Sequence, residues 1–223
     1  MIHKTRGIVF RFTRFRETSI IVTIFTDEFG LQSYIVNGVR TKHSKTNKIA
    51  LFQPLTLLNL VVYHRPQANI ERIREVQCLY PFATLTTDMR KSAIAMFLTE
   101  LLNKTVKEET HAREIFEFIL NSLITLDKLN GDFENYHLQF MLRLSHYLGF
   151  GVQSVNELVG GRAADEVSEQ LLDRLLVSDY SNNIKMSNAQ RRGLLDLILD
   201  FYLRHFDSMR EMKSLQVLRD VMA

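Results

Sequence analysis

Proline divides this chain. Pro54, Pro66 and Pro81 are its three prolines, all within the first 81 residues, and none occurs from residue 82 to 223. A proline inside a helix removes a backbone donor and clashes with the preceding turn, so a long proline-free stretch can be helical while a punctuated one suits strands and turns. The shift predicts an α+β chain of two domains, residues 1–80 made of strands and residues 83–223 made of helices, meeting near Tyr80-Pro81-Phe82.

In the first part Ile8, Phe10 and Phe12 alternate with Val9, Arg11 and Thr13, and SIIVTIFT (19–26) is a β-branched and aromatic run; both read as strands. Asp27-Glu28-Phe29-Gly30 turns the chain into LQSYIV, Asn37-Gly38 turns it again, and PLTLLNLVVYH and IERIREVQ complete five strand candidates. Five short strands in so few residues imply a small closed barrel. An OB-type barrel is the leading solution and an SH3-like barrel its competitor, because strand count does not fix connectivity.

The second part carries helical periods. Met89, Ala93, Phe97 and Leu101 with Ile94, Leu98 and Leu102 form one apolar stripe; Ile115, Phe118, Ile119 and Ile124 form another; Phe133, Tyr136, Met141, Leu144 and Leu148 form a third. Gly131-Asp132 separates two of them, Gly149 can close the third, and Ser187 with Gln190 is a capping box. Six or seven helices are expected, the last near 213–222, with residues 150–167 and 179–186 as loops holding short helical pieces.

The net charge of +3 hides an asymmetry: residues 1–82 hold 12 Lys/Arg against 5 Asp/Glu, and residues 83–223 hold 16 against 20. The densest run is GVRTKHSKTNK (38–48), with Arg40, Lys42, Lys45 and Lys48 and no acidic neighbour. Most charge runs are simply solvated; a basic surface gathered on one part of a molecule is also the footprint of polyanion binding. Cations here alternate with aromatics, Arg11-Phe12, Arg14-Phe15-Arg16 and Tyr34. Single-stranded nucleic acid is held by that combination, cations following phosphates while rings stack on bases. Phe10 and Phe12 share a face with Ile8 and read as core; Phe15 and Tyr34 read equally as core or as stacking rings.

Catalytic signatures are missing. There is no GxxxxGK[ST] loop, no GxGxxG, HExxH or GxSxG, and no Cys/His metal spacing. The seven histidines are scattered, and His137 and His146 suit structural or surface roles better than ligation. Glu108-Glu109 and Asp165-Glu166 read as solvated pairs, and the single Cys78 as a small hydrophobe at a strand end. One cysteine excludes an internal disulfide. MIHKTRGIVFRF lacks a signal-peptide core, and no apolar run suits a membrane span, so a soluble cytoplasmic protein is expected.

The order of RETSIIVTIFTDEFG, VNGVRTKHSK, ALFQPLTLLNLVVY, and then a proline ahead of a helical half containing LRLSHYLGFG (142–151), resembles the bacterial RecO family of recombination mediators. The resemblance covers most of the chain and is strongest over residues 7–63. It implies an amino-terminal OB-fold and a carboxy-terminal helical domain for DNA and partner docking. It also implies binding of single- and double-stranded DNA, annealing of complementary strands, and no turnover chemistry. The implied partners are RecR and the acidic tail of the single-stranded-DNA-binding protein SSB, together loading the RecA recombinase in nucleoid DNA repair. On this chain the DNA contacts would fall on Arg11, Arg14, Arg16, Arg40, Lys42, Lys45 and Lys48, with Phe15 and Tyr34 as rings. Arg143 is one of several cations that could meet the SSB tail. Many members carry a four-cysteine zinc site after the LGF segment, whereas residues 150–185 hold no cysteine, so neither zinc nor any other cofactor is expected. The competing reading is an adaptor whose basic barrel binds an acidic protein.

Overall fold

The structure is a computed structural model that describes residues 1–39, 48–65, 68–107, 112–152, 154–160, 165–180, 182 and 184–222. Its strands are β1 (Ile2–Phe15), β2 (Ser19–Thr26), β3 (Gly30–Val36), β4 (Leu57–Tyr63) and β5 (Glu71–Tyr80). Its helices are α1 (Met89–Thr105), α2 (Ala112–Lys128), α3 (Tyr136–Tyr147), α4 (Val155–Val159), α5 (Glu166–Val177), α6 (Asn188–Leu203) and α7 (Ser214–Val221). The chain forms two compact units, Met1–Phe82 with Val106–Leu123, and Ala83–Thr105 with Ile124–Ala223.

In the first unit the strands close into a barrel in the order β1-β2-β3-β5-β4. Strand β1 is long enough to pair twice: Gly7 to Phe15 run antiparallel to β2, and Ile2 to Ile8 run antiparallel to β4. Strand β4 thus returns beside β1 rather than beside β3, a Greek-key path, and β5 seals the barrel against β3 in parallel through Tyr34 opposite Glu71 and Ile35 opposite Arg72. This is the OB connectivity, which strand counting left open against the SH3-like alternative. The interior holds Val9, Ile20, Val22, Ile24, Tyr34, Leu58, Leu60 and Val62.

A register shift between Val9 and Arg11 separates two rings that alternation places on one face. Val9 opposes Ile24 and Phe12 opposes Val22, both inside the barrel; Phe10, the extra residue of the bulge, lies against Phe25, their ring centroids 5.6 Å apart. Phe25 in turn meets Phe116 of α2 at 6.3 Å. Ile8, opposite Phe25, is fully buried. Phe10 and Phe12 are therefore both apolar anchors, but of different layers.

The second unit is helical. Its α1 packs on α3 and α7, and α6 packs on α3, α4 and α5. The Ser187–Gln190 capping box opens α6, the Gln190 backbone N–H donating to Ser187 Oγ at 3.2 Å and the Ser187 backbone N–H to Gln190 Oε1 at 2.7 Å. Gly149, at φ 84°, closes α3: its N–H reaches His146 O at 3.2 Å while the Phe150 N–H reaches Ser145 O at 3.1 Å, the doubled bond of a Schellman end. Gly151 is demanded by closeness, since a Cβ there would lie 2.8 Å from the His146 Cα. The Phe150 ring then enters a cluster with Phe201, Tyr202, His205 and Phe206. Asp165, expected to be merely solvated, caps α5 by accepting from the Ser168 N–H. Glu108-Glu109 lies outside the described residues. Cys78 is exposed on β5 rather than tucked in as a small hydrophobe.

Asp127, 2% exposed, organises the start of this unit. Its carboxylate accepts the backbone N–H groups of Ala83, Thr84 and Leu85 at 3.1, 2.8 and 2.8 Å. The buried Lys91 ammonium donates to Thr84 Oγ1 and, at 2.9 Å, to the Asp127 carbonyl. Burial pushes the Lys91 pKa down, against the pull of Asp127 and Asp88. Replacing Asp127 by alanine removes the acceptor of three backbone donors, that of Leu85 buried, and one of the two acids that pull on the Lys91 ammonium. A buried donor left without its acceptor costs about 1–3 kcal/mol, so Asp127→Ala is expected to lower the urea unfolding midpoint by at least that equivalent, read by circular dichroism.

Candidate nucleic-acid interface

The registers fix which barrel side chains face out. Since Val9 and Phe12 point inward on β1, Arg11, Thr13 and Phe15 line its outer face beyond the bulge. Arg11 is exposed and opposes Thr23, to whose Oγ1 its Nε donates at 3.4 Å. Phe15 is half-buried, and the exposed Arg16 guanidinium lies 5.2 Å from its ring centre. Arg16 has φ 53°, a left-handed turn residue that swings its side chain back over β1. Arg14 is exposed on the opposite parity, at the strand's end. Lys48 is exposed where a 3-10 turn, Lys48–Phe52, leads toward β4. Arg40, Lys42 and Lys45 lie outside the described residues.

Tyr34 is not a stacking ring. It is fully buried in the barrel interior, opposite Glu71 on β5, and its hydroxyl has no hydrogen-bond partner among the described residues. Burial, with the charge of Glu71, raises its pKa. Alternation could have found this, because Tyr34 keeps step across β3 with Val22 of β2, an inward residue.

Arg6 is a cation taken out of the surface pool by the protein's own acids. Its guanidinium pairs with Asp27 at 2.8 Å and with Glu117 of α2, and its carbon lies 5.1 Å from the Phe116 ring centre. The hydrogen bond to Glu117 raises the Arg6 pKa, against desolvation and with help from Asp27. Burial alone would raise the Asp27 pKa; hydrogen bonds from Thr5, from the Arg6 backbone and from the Arg6 guanidinium outweigh it and hold the carboxyl below its usual range. By contrast Lys4, Arg14, Lys48, Arg65 and Arg72 have no ion-pair partner among the described residues. Arg65 and Arg72 belong to the β4–β5 hairpin and were not among the cations expected to contact DNA; the Arg-x-Arg pattern of ERIREVQ is the signal that could have found Arg72.

In the helical unit, a row along α3 secures the segment that follows α5. Asn135 Nδ2 donates to the Ile184 carbonyl at 2.6 Å, Gln139 Nε2 to Ser178 Oγ and the Asp179 carbonyl at 2.9 and 2.8 Å, and Arg143 to the Ser178 carbonyl at 2.7 Å. Arg191 bonds Asn135 Oδ1 at 2.9 Å, and the neighbouring His137, fully enclosed, has its pKa pushed down by desolvation, with Arg191 adding to it, to about 3. Arg143 also covers the Tyr180 ring at 4.7 Å, so its charge is already engaged. A separate cleft of about 320 Å³ is lined by Leu158, Val159, Leu197, Leu203, Asp200 and Arg204. The donor chemistry does not fit a four-cysteine zinc centre, because residues 150–185 supply no thiol. Among the described residues no helix is long and apolar enough to cross a membrane.

The family described as Recombination protein O N terminal matches residues 1–82, and that described as Recombination protein O C terminal matches residues 86–168. The chain is 34% identical to the "DNA repair protein RecO" of Flavobacterium johnsoniae, over 98% of both chains. It is 33% identical to the protein of the same name from Phocaeicola vulgatus and 31% identical to that from Bacteroides fragilis, each over 99% of both chains.

The Arg6–Asp27 pair makes a pH prediction. Because the folded Asp27 pKa is depressed, its stabilisation is complete above the unfolded value of about 4 and drains away as pH falls through the folded value. Urea midpoints at neutral pH and at pH values below about 4 are expected to fall more steeply for the wild type than for Asp27→Asn, which has no such proton to take up.

Proposed function

Because this chain belongs to the RecO family of DNA repair and recombination proteins, we propose that its barrel binds single- and double-stranded DNA and anneals complementary strands. The contacts proposed are Arg11, Arg14, Arg16 and Lys48, with Arg40, Lys42 and Lys45 of the basic run 38–48 and Phe15 as a partly open ring. The observation that carries this is the group of exposed cations on and beside β1, in a stretch, residues 1–82, that holds 12 Lys/Arg against 5 Asp/Glu. An electropositive barrel wall screens the repulsion between two phosphate backbones, letting complementary strands meet; no nucleotide hydrolysis and no turnover chemistry is required. In the same proposal residues 1–80 act on DNA, residues 83–223 dock partners, and the protein works in the cytoplasm on nucleoid DNA.

The proposed partners are RecR and SSB, with RecA loaded as the outcome. For the acidic SSB tail the seat proposed is the cleft at Leu158, Leu197 and Leu203, which sets an apolar lining beside a cation, Arg204; Arg204 and Arg143 both already donate to backbone carbonyls, so the apolar lining is what favours the cleft. An acidic-tail peptide is expected to bind the full chain and to bind Leu197→Asp several-fold more weakly, as followed by fluorescence anisotropy. Equal binding would remove the tail from this cleft.

Counterion release supplies the test of the DNA reading. Affinity for single strands falls with salt at about −0.7 in log–log slope per phosphate contacted. Replacing Arg40, Lys42, Lys45 and Lys48 together by alanine is expected to flatten that slope by about two to three units and to slow annealing. A protein that ignores naked DNA at low salt yet captures an acidic partner would instead be the adaptor.

A further inference from the structure

The registers draw one transverse row on the outside of the barrel. Ile21 opposes Ile35, Ile35 opposes Arg72, Arg72 opposes Tyr63, and Tyr63 opposes Ile2. Tyr63 is 43% exposed and Ile2 51% exposed. A large ring standing open to solvent, flanked on one strand by an aliphatic side chain and on the other by a guanidinium, is not what a barrel needs for stability. Opposed residues on one sheet face hold their Cβ atoms about 5 Å apart, so a flat group laid on the Tyr63 ring would have the Arg72 cation beside it.

The scaffold under this row is rigid. The His64 ring stacks on Phe29 with centroids 4.0 Å apart, and its Nδ1 lies 2.8 Å from Oε1 of the buried Glu71, which also accepts the Arg65 N–H at 2.9 Å. Both ends of the β4–β5 connection are therefore pinned, Tyr63 and Arg65 on one side and Arg72 on the other. Glu71 turns its carboxylate inward, Oε1 meeting both groups. The remaining acid of the hairpin, Glu75, pairs with Arg74 at 3.4 Å, leaving Arg65 and Arg72 without an ion-pair partner among the described residues.

We infer that Tyr63 is a base-stacking platform for single-stranded nucleic acid, with Arg72 and Arg65 holding the adjoining phosphates. This rests on the DNA reading of the barrel and supplies the ring that Tyr34, being buried, cannot. The charge decides the occupant: an aromatic between guanidiniums takes a nucleobase with its phosphates, whereas a second apolar protein surface would bury those cations unpaired.

The test compares wild type, Tyr63→Ala and Tyr63→Phe on labelled oligo(dT) and on an abasic strand of the same length. Stacking is worth about 1–3 kcal/mol per base, so Tyr63→Ala is expected to bind oligo(dT) roughly five- to a hundred-fold more weakly. Tyr63→Phe should restore binding, and all three proteins should hold the abasic strand equally with one salt slope. Unchanged oligo(dT) affinity in Tyr63→Ala, or an equal loss on the abasic strand, overturns the platform while leaving the DNA reading intact. Failure of the wild type to bind either strand overturns both.

Discussion

The double pairing of β1 is the constraint on which the barrel unit hangs. One strand of fourteen residues serves β2 with its second half and β4 with its first, so it is simultaneously the start of the sheet and the seam that closes it. The bulge at Phe10 lets that strand turn the corner. It also sorts the chemistry. Before it, outward positions such as Ile8 are covered, with Phe10 on Phe25 and Phe25 on Phe116; beyond it, outward positions carry Arg11 and Thr13 into solvent and leave Phe15 half-buried. Regular pairing of Phe10 with Thr23, with no bulge, would put Arg11 opposite Val22, where Phe12 now packs.

Much of this was readable in the amino-acid order because the residues concerned obey local rules. Ser187 with Gln190, and Gly149 after a helical stripe, declare helix ends by their own hydrogen bonding, and both ends stand where the spacing puts them. The five strands follow from β-branched runs between turns. What resisted reading is non-local. Phe10 and Phe12 look equivalent until β2 reveals the bulge, and Tyr34 looks available until Glu71 closes over it from β5. Arg6 looks like one more cation until Asp27 and, more than a hundred residues on, Glu117 claim it. Tyr63, at the end of an apolar strand, carries no local mark of exposure; its place beside Ile2 and Arg72 emerges only from the pairing of three strands.

The helical unit answers a different question, how polar groups are spent in an apolar bundle. Asp127 anchors three successive backbone donors, and Lys91 is buried with it. Asn135, Gln139 and Arg143 occupy successive turns of one face of α3 and hand their amides and guanidinium to carbonyls of the stretch after α5. Arg204 does the same for the carbonyls of Glu157 and Leu158.

That division of labour has a consequence for conditions under which DNA is damaged. A stretch fastened by amide and guanidinium donors on carbonyl oxygens, with no cysteine from residue 150 to 185, offers peroxide no thiol there, and the chain's one thiol, Cys78, sits elsewhere, on the barrel. The susceptible sulfurs of this half lie elsewhere: the thioethers of Met89 and Met96 on α1 stand open to sulfoxide formation, away from the polar bonds that fasten the stretch after α5.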